Sequence, residues 1–104
     1  MRPKRNPDVV WRLEKGMHAM AWDKVRKGEE YEDLGVLTLM VAESIHQLNL
    51  VGAEIWTRIN GVNTVEKISG EIAALFDWER QETEEAVLDF LKGIGERGWV
   101  HGLQ

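Results

Sequence analysis

Three histidines, His18, His46 and His101, are the first places to look for metal or acid–base chemistry in this chain. They lie far apart and lack a spacing such as HExxH, which sets two imidazoles on one helical face toward a zinc ion. A zinc site needs three or four converging ligands. The chain has no cysteine, so neither thiolate ligands nor a thiol nucleophile is on offer. Ser44 and Ser69 are the only serines, and neither stands in a nucleophile-elbow sequence. Glu82, Glu84, Glu85 and Asp89 supply carboxylates, but they read as a solvated helix face whose acidic start complements the helix dipole. Gly93, Gly95 and Gly98 lack the strand–GxGxxG–helix setting of a phosphate loop and read as close-packing and helix-ending residues. These residues point away from an enzyme, and no metal or cofactor is expected.

The elements that would carry a binding surface are clearer. Val9, Trp11 and Leu13 alternate with Val10, Arg12 and Glu14, as in a half-buried strand. Residues 17–22 read as a second, weaker strand, and residues 23–33 as a long charged loop, either mobile or a contact surface, with mobility favoured. Val36, Leu37, Leu39, Met40 and Val41 form the most apolar strand. Ala42 and Glu43 make a turn, and Ser44–Leu48 returns as its hairpin partner. Three helices are expected near residues 50–60, 65–76 and 79–97. Asn49 is placed to cap the first, Gly61 to stop it, and either Asn63 or Thr64 to cap the second. On the third, Val87, Phe90, Leu91 and Ile94 share one face, and Leu88, Leu91 and Gly95 form a narrower stripe beside it. That apolar surface is wider than one core contact requires, which leaves room for a partner.

Composition bounds the functions open to such a chain. Its 104 residues suit one small domain. Residues 8–104 are expected to form it, behind a mobile, polar, basic, proline-interrupted arm at residues 1–7. No apolar run approaches the ~18 residues of a membrane span, no apolar segment follows the basic start as in a signal peptide, and the lack of disulfides suits a reducing cytoplasm. Of the net charge of −5, residues 1–60 contribute nothing, with nine basic and nine acidic side chains. Residues 61–104 hold four basic and nine acidic ones. A strand-and-three-helix order also describes a nucleic-acid-binding or regulatory winged helix, but such a protein needs cations facing phosphate, and here the third helix is acidic. Five tryptophans are many for this length. Trp11, Trp56 and Trp99 fall at core positions, Trp78 at a helix junction, and Trp22 beside the charged loop, where partial exposure is expected.

The order of residues 48–65, LNLVGAEIWTRINGVNTV, closely resembles the PqqD family of small peptide-binding proteins. Thr64-Val65 leading into Ile68, Ile72, Leu75 and Phe76 is similar to the family's second helix. Val87, Phe90, Leu91 and Ile94, then Gly98-Trp99-Val100, are similar to its third helix and closing strand. Residues 9–13 and 36–41 resemble its first two strands, while residues 16–33 match poorly. The resemblance implies an α+β fold, winged-helix-like, with an N-terminal antiparallel sheet followed by three helices. It implies a role in holding the leader of a ribosomally made precursor peptide and presenting it to a modifying enzyme, commonly a radical SAM enzyme. The leader would add as a strand along Ser44, Ile45, His46, Gln47 and Leu48, against Val87, Leu88, Leu91, Lys92 and Gly95 of the third helix. Core packing is the competing role for Leu48, Val87 and Leu91, and pairing with Asp89 or Glu96 the competing role for Lys92. An interaction module with this fold and another partner is a further alternative.

Overall fold

A computed structural model describes residues 1–103. The fold class is α+β, with antiparallel strands and four helices. In chain order these are β1 (Lys4–Arg5), β2 (Val10–Leu13), α1 (Lys15–Lys27), β3 (Leu37–Val41), β4 (Ser44–Leu48), α2 (Leu50–Thr57), α3 (Val65–Phe76), α4 (Arg80–Glu96) and β5 (Val100–His101). The chain divides into two compact units: Pro7–Glu54, and Met1–Asn6 together with the chain from Ile55 onward.

In the first unit β2, β3 and β4 form an antiparallel sheet with β3 in the middle. The pairing sets Val10 opposite Met40 and Met40 opposite Ile45, Trp11 opposite Leu39 and Leu39 opposite His46, and Leu13 opposite Leu37 and Leu37 opposite Leu48. Because side chains alternate between faces, one face carries Trp11, Leu13, Leu37, Leu39, His46 and Leu48, and on it Leu37 and Leu39 are fully buried. Ala42 and Glu43 close the β3–β4 hairpin in two residues. Ala42 takes φ 52°, a left-handed conformation that costs a side chain about 1 kcal/mol.

Residues 15–27 are helical, which corrects the expectation of a weak strand at 17–22 and a loop from 23. His18, Ala21, Trp22 and Val25 recur at helical spacing, the last turn is basic, and Gly28 ends the helix at φ 70°. Only Ala21 is buried among its residues, so the periodicity lacks the aliphatic bulk that marks most amphipathic helices. Polar contacts compensate. The Glu54 carboxylate of α2 accepts a hydrogen bond from Trp22 Nε1 at 3.0 Å and lies 2.8 Å from His18 Nε2. Asn49 caps α2 as expected, its Oδ1 accepting from Gly52 N at 3.0 Å.

The second unit brings together distant parts of the chain. Lys4 pairs with His101 and Arg5 with Val100 in a two-stranded antiparallel sheet. Asn6 N donates to Trp99 O at 2.9 Å, Gly61 N to Pro3 O at 2.9 Å, and Val65 N to Met1 O at 3.1 Å. The expected arm at residues 1–7 is therefore stitched into the fold as far as Asn6. Its basic character is used locally, since Arg5 Nη1 donates to Trp56 O at 3.0 Å and its guanidinium lies 6.0 Å from the Trp56 ring centroid.

The helices of this unit follow their sequence signals. Thr64, rather than Asn63, caps α3, with Lys67 N donating to Thr64 Oγ1 at 3.1 Å. Glu79 caps α4 through Glu82 N at 2.6 Å. Ile68 and Ile72 of α3 and Val87, Leu91 and Ile94 of α4 are buried with Trp56, Ile59 and Trp99. Trp78 is different: it is 40 % exposed and stacks on Phe76 with ring centroids 4.7 Å apart.

Two stability tests follow from these contacts. Trp56 has no exposed surface, so Trp56→Ala is expected to cost about 3–5 kcal/mol, read as a markedly lower denaturation midpoint. Removing a partly buried carboxylate that accepts from Trp22 Nε1 and lies against His18 Nε2 costs about 2 kcal/mol. Glu54→Ala is therefore expected to lose that much and to speed amide exchange along α1.

Candidate functional site

The sheet of the first unit ends at β4, which pairs with β3 on one side; among the described residues no strand pairs with its other edge. Such an edge presents unpaired backbone N–H and C=O groups to any extended chain. Ser44 and Gln47 are exposed, Ile45 is 66 % exposed, and His46 and Leu48 are half-buried. All five predicted β4 residues thus lie consecutively on an available edge.

On the solvent side of this sheet the cross-strand row Val10, Met40 and Ile45 is apolar, at 65, 49 and 66 % exposure. The adjacent row on the same face, Arg12, Thr38 and Gln47, is polar and held together. Glu14 Oε2 accepts from Arg12 Nη2 at 3.0 Å and from Thr38 Oγ1 at 2.7 Å, and Gln47 Nε2 donates to Thr38 Oγ1 at 3.5 Å. Hydrogen bonds from Arg12 and then Thr38 hold the Glu14 carboxyl below its ordinary value. Sequence reasoning placed Val10 on the polar parity of its strand without assigning it a role. An apolar residue at a position where its neighbours Arg12 and Glu14 are charged was the available signal.

In the second unit, α4 sorts its predicted residues into two groups. Val87 and Leu91 have at most 1 % exposure and belong to the core. Leu88 and Gly95 are half-buried and Lys92 is exposed. Lys92, Gly95 and Glu96 line a cavity of about 510 Å³ together with residues 100–103. Leu103 sits close to the helix there, its Cδ1 2.7 Å from where a Cβ on Gly95 would lie, so a larger residue at 95 would displace it. A Glu82, Thr83, Ala86 and Trp78 notch of about 260 Å³ lies at the other end of the helix. Among the described residues no group of three or more His, Cys, Asp or Glu side chains is placed to hold a metal ion, and no helix is long and apolar enough to cross a membrane.

An α+β domain with a short open-edged sheet and a long C-terminal helix matches a known architecture. The PqqD truncation of Methylobacterium extorquens PqqCD, whose solution NMR structure represents a functional and stand-alone ribosomally synthesized and post-translationally modified (RiPP) recognition element, superimposes with a TM-score of 0.65. The match covers 96 % of this chain and 88 % of that one at 18 % sequence identity, so the likeness is one of fold. The family model for coenzyme PQQ synthesis protein D (PqqD) matches residues 37–100, from β3 into β5, and the chain belongs to the PqqD family. No curated protein matches the chain.

An open edge has a direct signature. In an antiparallel sheet each residue of a central strand is held on one side or the other, whereas alternate residues of an edge strand point both backbone groups outward. Amide hydrogen exchange is therefore expected to be slow throughout β3 and to alternate between slow and fast along β4. Uniform protection of β4 would mean that the edge is covered.

Proposed function

We propose that this chain binds the leader segment of a ribosomally synthesised precursor peptide and presents it to a modifying enzyme, most readily a radical SAM enzyme, without catalysing a reaction itself. The observation that carries the reading is the open edge at Ser44–Leu48 in a chain of the PqqD family. A peptide added there gains main-chain hydrogen bonds that depend little on its sequence, so one domain would hold leaders whose side chains vary. Selectivity then comes from the β4 side chains Ile45, His46 and Leu48; of the α4 residues that the family resemblance implicates, Leu88, Lys92 and Gly95 are the accessible ones. Val87 and Leu91 contribute by fixing α4 in the core rather than by offering surface. The absence of cysteine means that an iron–sulfur cluster of the kind held by Cys thiolates would belong to the partner enzyme. Synthesis of the precursor on ribosomes puts the encounter in the cytoplasm.

The charge distribution supports a peptide over nucleic acid as ligand, because α4 exposes Glu82, Glu85 and Asp89 rather than a basic stripe. Calorimetry with the leader of a precursor encoded beside this chain's gene is expected to give saturable binding that weakens only modestly with salt. Leu88→Asp should lower that affinity about tenfold or more, equivalent to ~1.4 kcal/mol, with the unfolding midpoint kept. NMR shifts on titration should fall on Ser44–Leu48 and on residues 88–95. Duplex DNA should show no saturable binding at physiological salt. Tight, salt-sensitive DNA binding with no response to the peptide would overturn the reading.

A further inference from the structure

We infer that Ile45 determines which peptides this sheet accepts: the exposed row Val10–Met40–Ile45 is a half-built apolar stripe that selects an incoming strand with an apolar side chain beside Ile45. The inference rests on strand addition at β4 and deepens it. Isolated exposed apolar residues are ordinary, but these three are direct cross-strand neighbours, in line across all three strands. Their exposures of 65, 49 and 66 % leave each with a large face in water. The row runs from one edge strand to the other, ending at Val10 on β2 and at Ile45 on β4, and a strand added at β4 would meet the Ile45 end. A fourth strand would set one side chain directly opposite Ile45, with Cβ atoms about 4.5–5.5 Å apart, where apolar and aromatic partners for a β-branched residue are favoured.

The same face also sets the register. Two residues along β4, on the same side, stands Gln47, whose row of Arg12 and Thr38 is tied together through Glu14. A peptide displaced by two residues would bring its apolar side chain against that polar row and a polar one against Ile45. A displacement of one would send the apolar side chain to the opposite face. One apolar position, with a polar position two residues away, is thus the pattern this face reads. A second copy of the chain is a poorer occupant, since three side chains fall far short of the roughly 800 Å² per partner that a stable interface buries.

The test is selection of short random peptides displayed on phage by the wild-type chain and by Ile45→Lys, with sequencing of both pools. Wild type is expected to enrich Ile, Val or aromatic residues at one fixed position. Ile45→Lys should convert that single position to Asp or Glu and leave preferences elsewhere unchanged. Ile45→Ala should weaken the selected peptides by about fivefold, with an unfolding midpoint lowered only slightly, because Ile45 lies outside the core and gives up one cross-strand contact with Met40. If the wild-type chain selects peptides but Ile45→Lys leaves every position as it was, strand addition survives and the role of Ile45 does not. Failure of the wild-type chain to enrich any peptide overturns both. Dimerisation of the wild-type chain that Ile45→Lys abolishes would assign the row to a second copy and overturn the inference alone.

Discussion

Pairing of β3 on both sides is the constraint from which the organisation of the first unit follows. Its five residues fix the register of β2 and β4, and the register fixes the parity of each side chain. With Leu37 and Leu39 fully buried, Met40 and Thr38 must face outward, and their neighbours across the sheet follow them. A slip of one residue between β3 and its neighbours would put Arg12 and Gln47 on the face of Leu37 and Leu39, so that either the polar pair is buried or the two leucines are exposed, a cost no surface contact offsets. The core side of the sheet therefore determines what its solvent side presents, including an apolar row that contributes nothing to the core.

The second unit resolves a comparable conflict on a single helix. Val87, Leu91 and Ile94 hold α4 in place, while the residues one position further on, Leu88 and Lys92, retain surface. At its start the helix is satisfied by Glu79, whose carboxylate accepts from Glu82 N, and by Thr83, whose hydroxyl donates to Glu79 O at 2.6 Å. A helix anchored in this way keeps its exposed side chains in fixed positions.

Much of this was legible in the residues, and the exceptions have physical causes. The β3–β4 hairpin, α3 and α4 were readable because aliphatic periodicity, a two-residue turn and capping side chains agree there. Helix α1 was not, because it is held by Glu54 reaching His18 and Trp22, a contact 32 to 36 residues away in sequence that periodicity does not register. Residues 1–6 looked like a tail because Pro3 and three cations resemble one locally; their partners include Asn60, Trp99 and Val100, the nearest of these pairings, Lys4 with Asn60, spanning 56 residues. On α4 the apolar stripe was visible, but its division into buried Val87 and Leu91 and half-buried Leu88 depends on packing and not on spacing. The β4 edge was visible as a strand, yet that nothing among the described residues pairs beyond it is a property of topology alone.

The discontinuity of the second unit bears on the order of folding. Pro7–Glu54 is one uninterrupted stretch whose hairpin closes over two residues, so its pairing needs little loop entropy and is available early in synthesis. Met1–Asn6 precedes that stretch yet finds its partner strand only at Val100–His101. Closing that span is the most entropically demanding step in the chain, since closure cost grows with the length of the loop. β1 therefore cannot pair until Val100–His101 has been made, after β2, β3 and β4 are all available.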